Sequence, residues 1–286
     1  MKRLSIVILI AVAVSWSEIT GQQDTLQPDT LKFWNFSGMA SLNFSQTSFS
    51  KNWQAGGQSS IAGLGLLNYT AKYAKNKSSW DNILDVKYGL TRLADDDTRK
   101  TDDNFEILSK YGYKAFEKWY YSAMFDFKTQ MTDGKHEANR DSVISKLMAP
   151  GYILAALGID YKEGDVFSLF LSPVTGKITF VLDDTFSDEG RFGVDPGSKT
   201  RFELGALLKS IFVKEILKNV TVNSKLGLFY NYLDDPQIDV DWELLLNMKI
   251  NQYISANVLT QLIYDKDQVD EVQFKEIFGI GLTYNF

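Results

Sequence analysis

The chain lacks the residues on which most metal and nucleophile chemistry depends. Its 286 residues include no cysteine, five prolines and one histidine. Without cysteine there is no disulfide framework and no thiolate metal site. The single histidine, His136, has no second histidine with which to build a zinc site. We expect it to be a solvated loop residue rather than the base of a membrane hydrolase. The sequence therefore predicts no metal, no cofactor and no catalytic residue.

Beyond its N-terminus, the chain has no apolar run long enough to cross a bilayer as a helix. Lys2 and Arg3 precede a short apolar stretch, residues 4–14, which is followed by a more polar segment. This pattern predicts a cleaved signal peptide over residues 1–21, and a membrane helix is disfavoured because the run is too short. Residues 22–33 are polar and predict a flexible periplasmic leader.

The formal net charge of −6 argues against a nucleic-acid partner, which would favour a basic surface. Aromatic residues make up 14% of the chain, with 19 Phe, 14 Tyr and 6 Trp. Aromatic residues favour strands and also form the girdles of membrane barrels.

The last ten residues alternate strictly between bulky and small or polar side chains. The bulky positions are Phe278, Ile280, Leu282, Tyr284 and Phe286. Such a strand suits the lipid-facing closure of a barrel. The same alternation recurs in about twelve segments from residue 34 onward, one of them over residues 145–161. It predicts an all-β fold for residues 34–286, a single transmembrane antiparallel up-and-down β-barrel of about 12 strands.

The connections between these segments alternate between short turns and longer loops. A soluble β-sandwich would explain the alternation of side chains but not this rhythm. In outer-membrane barrels the short turns are periplasmic, so an even strand number predicts that both termini are periplasmic. Aromatic residues near the short turns, including Trp80, Trp119 and Tyr161, predict an interfacial girdle. The expected location is the outer membrane of a Gram-negative bacterium.

Charged residues occupy the face opposite the apolar one and are candidates for lining a pore. They are Asp85, Lys87, Glu106, Lys110, Lys114, Asp126, Lys128, Arg201, Glu203, Lys209, Lys225, Glu243 and Lys249. Lysine and arginine outnumber the acids in this set, so an open lumen is expected to select weakly for anions. Charges that pair across the lumen would instead give a filled, structural interior.

One loop combines a tryptophan with two adjacent glycines. Trp53, Gly56 and Gly57 lie in a predicted loop, where such a combination can fold inward as a plug. The alternative is a bulky residue that packs on the rim of the barrel.

Several runs resemble an uncharacterised outer-membrane barrel family of Bacteroidetes, domain of unknown function 3078. The runs are Asn52–Gly57, Arg99–Asp103, Ser109–Lys114, Trp119–Ser122, Leu171–Lys177 and the closing strand. The resemblance implies an outer-membrane barrel and supplies no activity, so no catalytic residues are carried over.

The leading hypothesis is a non-enzymatic pore or passive transporter for small solutes. The alternatives are a structural or surface-exposed component of a larger outer-membrane assembly and, less favoured, a membrane-embedded hydrolase. The expected partners are outer-membrane lipid, the barrel-assembly machinery through the C-terminal strand, and other envelope proteins.

Overall fold

Twelve antiparallel strands close into a barrel, as the alternating pattern predicted. The computed structural model describes residues 33–286 except 51, 53, 55–56, 95–96, 136–141 and 234–236. The predicted signal peptide, all but the last residue of the predicted leader, Trp53, Gly56 and His136 therefore lie outside the described residues. No described helix is long and apolar enough to cross a membrane.

Fourteen strands are described. They are β1 (Trp34–Thr47), β2 (Ser60–Lys75), β3 (Ser78–Leu93), β4 (Thr98–Phe116), β5 (Trp119–Thr129), β6 (Gly134–Lys135), β7 (Val143–Ser145), β8 (Gly151–Glu163), β9 (Phe167–Phe180), β10 (Thr200–Leu217), β11 (Val220–Asn231), β12 (Ile238–Lys249), β13 (Ile254–Asp265) and β14 (Val269–Asn285). Each barrel strand pairs with the next along the chain, β5 pairs with β8, and β14 pairs with β1. The small hairpin of β6 and β7 stands apart from the barrel.

Side chains alternate between the two faces of the wall as a membrane barrel requires. Phe202, Phe274 and Phe278 are 59%, 64% and 56% exposed on the outer face. Asp160 and Thr175, on the inner face, are fully buried. A continuous band of exposed apolar side chains is unfavourable in water, so the outer wall is suited to lipid.

Aromatic side chains form a girdle at the end of the barrel that carries the short turns. Trp34 lies 5.9 Å from Trp80 and Trp119 lies 5.2 Å from Tyr161, between ring centroids. Phe286 stacks on Tyr284 at 5.8 Å. The barrel strands begin at Trp34 and end at Asn285 at this same end. Tryptophan and tyrosine, whose rings carry an N–H or O–H group, suit the boundary between acyl chains and water.

The closing ladder between β1 and β14 is short. It runs from Met39 opposite Asn285 to Phe44 opposite Ile280. Two further backbone hydrogen bonds, of 2.7 and 3.0 Å, join Gly38 to Phe286. Gly281 is required here because a Cβ at this position would lie 1.9 Å from the Leu42 carbonyl oxygen.

A small apolar cluster caps the barrel at the long-loop end. Its buried members are Ala149, Val181, Phe186 and Val194. The helix α1 (Asp184–Asp188) lies in this cap, and its first turn is capped by the Asp183 carboxylate. The prediction that one strand covers residues 145–161 was wrong at its start. Ala149 is fully buried in the cap, and β8 begins at Gly151.

An ion pair ties the two loops of this cap together. The Lys146 ammonium donates to the Asp183 carboxylate at 2.5 Å. This hydrogen bond lowers the pKa of Asp183 and raises that of Lys146. The pair therefore contributes to the stability of the cap while both groups remain charged.

Candidate functional site in the barrel lumen

The structure places the thirteen charged residues selected from the sequence on the inward-facing positions of their strands. Six of them are buried, namely Asp85, Lys87, Lys110, Asp126, Glu203 and Glu243. Lys114 and Lys249 are exposed near the short-turn end, and the remaining five are partly buried. Whether these residues line a conducting pore stays a prediction.

Ion pairs cross the full width of the lumen. The Lys225 ammonium on β11 donates to the Asp85 carboxylate on β3. These strands are six positions apart in the ring of twelve, so they face each other across the barrel. Lys87 on β3 likewise donates to Glu243 on β12. Opposite walls are therefore joined by direct side-chain contacts.

A second group of pairs lies beside the first. The Lys209 ammonium donates to Asp126 and, at 3.0 Å, to Glu106. Lys128 on β5 donates to Asp241 on β12, five positions away around the ring. Charges taken out of water are tolerated when they are paired and hydrogen-bonded. Each of these lysines has a carboxylate partner, while the Asp126 Oδ1 atom is buried without a hydrogen bond among the described residues.

Further pairs continue toward both ends. Near the short turns, Lys110 donates to Asp160 at 2.8 Å. At the long-loop end, Arg201 contacts Asp267 at 2.6 Å. Lys177 contacts Asp239 at 2.6 Å. The lumen thus carries ion pairs along most of its length.

Apolar side chains fill much of the remaining interior. One inward cluster consists of Leu108, Met124, Ala156, Phe170, Leu207 and Phe229. A second is formed by Leu64, Leu66 and Leu259. These residues supply packing between the ionic contacts, so the interior is largely filled.

Polar side chains reinforce the closing seam from the inside. Asn257 donates to Asn43 at 2.7 Å, and Asn247 donates to Asn257 at 2.6 Å. The hydroxyls of Ser41 and Thr283 lie 2.9 Å apart. This network links β12, β13, β14 and β1, so it stabilises the seam where the ladder is short.

Sequence reasoning missed several acids that complete these pairs. Asp102 and Asp239 lie near strand ends that the sequence pattern assigned to loops. Asp267 lies in the turn between β13 and β14, and Asp81 was not selected. Asp102 contacts Lys275 at 3.1 Å, and Asp81 contacts Lys162 at 2.6 Å. The signal that could have found Asp81, Asp102 and Asp239 was their phase, because each continues the inward alternation of its strand.

The ion pairs of the lumen overturn the expected excess of uncompensated cations. Six of the eight lysine and arginine residues selected for the lumen form ion pairs, and these are Lys87, Lys110, Lys128, Arg201, Lys209 and Lys225. The expectation of weak anion selectivity assumed uncompensated cations in the lumen, and that assumption was wrong. Sequence periodicity identified the inward cations but not all of their partners.

Of the three residues of the predicted loop plug, Gly57 is the one that lies in the described ranges. Gly57 has a φ of 134°, and a Cβ there would lie 2.5 Å from the ring of Phe49. Gly57 thus packs directly against an aromatic side chain of the same loop. Trp53 and Gly56 lie outside the described residues, so the plug stays a prediction. No group of three or more metal-binding side chains occurs in the part of the chain that is described.

A closed antiparallel barrel with an apolar outer wall, an aromatic girdle and a charged interior defines a β-barrel of the outer-membrane type. Residues 44–134 match the model of a family described as protein of unknown function, DUF3078. The match agrees with the resemblance in the sequence, while a Bacteroidetes origin stays a prediction. No curated protein matches the chain.

Solved outer-membrane barrels resemble the chain along most of its length. The COG4313 outer membrane channel from Pseudomonas putida F1 is 12% identical, with a TM-score of 0.39, over 87% of this chain and 94% of that chain. The translocator domain of the autotransporter NalP from Neisseria meningitidis is 10% identical, with a TM-score of 0.38, over 88% of both chains. OmpT, an outer membrane protein of Vibrio cholerae, is 8% identical, with a TM-score of 0.30, over 88% of this chain and 97% of that chain.

Proposed function

We propose that this protein is a non-enzymatic pore for small polar solutes that is closed in the conformation described here. Solutes pass when the ion pairs that cross the lumen separate. The observation that carries this proposal is the contact between Lys225 and Asp85, which joins opposite walls of the barrel.

The charged character of the barrier favours a pore over a permanently solid barrel. Buried ion pairs contribute little net stability compared with apolar residues of the same volume. They can, however, be separated and hydrated, which an apolar plug cannot. A polar barrier of this kind suits a lumen that opens to water.

A structural barrel within a larger outer-membrane assembly is the second candidate. It is favoured by the apolar clusters that fill the interior beside the ion pairs. In that case the structured cap around Phe186 would be the functional surface, and the lumen would only stabilise the wall.

Single-channel recording in planar bilayers separates the two candidates. The test variant replaces Asp85, Lys87, Lys225 and Glu243 with alanine. The control replaces Lys118 and Glu163 with alanine as well. These residues form an ion pair at the short-turn end, and their side chains are 51% and 48% exposed. Wild-type protein and the control are expected to be silent or to open rarely, and the test variant is expected to conduct in discrete steps.

Two outcomes would contradict the proposal. A folded test variant that stays silent favours the structural barrel. A wild-type protein that conducts continuously in large steps shows that the ion pairs do not close the lumen. Slower migration of the boiled protein on a detergent gel verifies that each variant is folded.

We also propose the finer points of location. The protein lies in the outer membrane of a Gram-negative bacterium after signal cleavage, the assembly machinery inserts it through β14, and the short-turn end faces the periplasm. The girdle and short turns at one end support this orientation. A protease site inserted at Gly164 should be resistant in intact cells, whereas one inserted at Gly197 in the cap should be cleaved.

A further inference from the structure

The lumen contains a vestibule at the short-turn end, below the ion pairs that cross the barrel. Its volume is about 340 Å³, at the lower end of the range of small-molecule sites. The ion pairs Lys225–Asp85 and Lys87–Glu243 form its inner end. Its mouth lies near Ser37, Lys249 and Asn285, so it opens toward the short turns.

The lining of the vestibule combines apolar and polar side chains. Leu66, Leu245 and Leu259 belong to the apolar cluster inside the barrel. Asn68, Thr221 and Asn223 supply polar groups among them, since Asn68 follows Leu66 by two residues on β2 and Asn223 is paired with Leu245. A ligand that matches this lining must therefore combine an apolar part with a group able to form hydrogen bonds.

Among the described residues, Lys249 is the lysine of the vestibule lining that forms no ion pair. The lining contains two acidic side chains, Asp85 and Glu243, and three lysines. Lys87 and Lys225 are paired with these acids, whereas the exposed Lys249 forms no ion pair with any residue of the described ranges. An ammonium at the mouth of the cavity that no described carboxylate neutralises attracts an anionic group.

We propose that the vestibule binds a small organic anion that has one apolar side, such as an arylcarboxylate. Its carboxylate contacts the Lys249 ammonium at the mouth, and its apolar side packs on Leu66, Leu245 and Leu259. Binding at this site does not require the lumen to conduct, so the site stands whether or not the proposed pore opens.

Calorimetric titration of the full barrel in nanodiscs tests the site with three soluble probes. Phenylacetate has both the charge and the apolar side, phenylacetamide lacks the charge, and acetate lacks the ring. Phenylacetate is expected to bind about tenfold or more tightly than either of the other two. Equal binding of phenylacetate and phenylacetamide would overturn the role of the cation, and equal binding of phenylacetate and acetate would overturn the role of the three leucines.

Variants locate the binding in the vestibule. Lys249→Met keeps the length of the side chain and should weaken phenylacetate binding about tenfold without changing phenylacetamide binding. Lys218→Met is the matched control, because Lys218 is an exposed lysine in a turn at the same end and does not line the vestibule. Unchanged affinity in a folded Lys249→Met protein, or an equal loss in both variants, would refute the proposed site.

Discussion

Asp85 and Lys225 face each other from opposite walls of the barrel and meet in its centre. Lys225 has no other carboxylate partner among the described residues, whereas Asp85 also lies 3.4 Å from Lys87. The two partners are therefore not equivalent, and this asymmetry can be measured.

A double-mutant cycle tests the coupling between Asp85 and Lys225. Asp85→Asn leaves Lys225 without its partner and should lower the free energy of unfolding by about 3–5 kcal/mol. Lys225→Met should cost less, because Lys87 remains beside Asp85. The double variant should be more stable than the sum of the single effects by about 1–3 kcal/mol, measured by urea unfolding from lipid vesicles. Strict additivity would show that the contact contributes nothing to stability.

Two inward-facing glycines should respond very differently to alanine. A Cβ at Gly281 would overlap the Leu42 carbonyl oxygen, so Gly281→Ala must push β1 away from β14. At Gly227 the nearest atom is 3.8 Å away, which is ordinary contact. Gly281→Ala is expected to reduce the yield of heat-modifiable barrel strongly, while Gly227→Ala leaves it near the wild-type level. Similar yields for both would show that the closing seam tolerates displacement.

The two faces of β11 should tolerate charge unequally. Leu226 lies near the middle of the strand on the outer face, so Leu226→Arg should cost roughly 2–4 kcal/mol of unfolding free energy in a bilayer. Thr221 faces the vestibule inside the barrel, and Thr221→Arg should cost clearly less. Urea titration of both variants in the same vesicles gives the comparison. A larger loss for Thr221→Arg would contradict the assignment of the lipid face.

The cap at the long-loop end should loosen in acid. The pKa of Asp183 is below its ordinary value of 3.8, so its pairing with Lys146 stabilises the cap above that pH and is lost as the pH falls through the folded-state pKa. The pKa of Lys146 is raised above its ordinary value of 10.5. On the alkaline side, the pairing is therefore lost only as the pH rises through that raised pKa. Hydrogen-exchange protection of the Phe186 amide should therefore decrease below about pH 4.

Asp183→Asn is the matched control for the acid effect. Asparagine caps a helix about as well as aspartate but carries no charge. Protection of the Phe186 amide in this variant should be lower at neutral pH and should change little on acidification. The same acid-dependent loss in both proteins would assign the effect to other groups.

The sequence by itself determined the class of fold, the number of barrel strands and the inward phase of the charged residues. Strict alternation was sufficient because a strand exposes one face to lipid and the other to the interior, so a shift of one residue would reverse every side chain. The aromatic girdle could also be predicted, because the rings lie next to short turns.

Only the tertiary structure decided which charges meet. Lys225 and Asp85 are 140 residues apart in the chain, and their contact follows from the curvature and register of the whole barrel. The register likewise brings Asp102 opposite Lys275, and it leaves Lys249 at the mouth of the vestibule. Periodicity along one strand contains no information about the strand across the lumen, so the pairing, the filled interior and the vestibule could be found only once the barrel was closed.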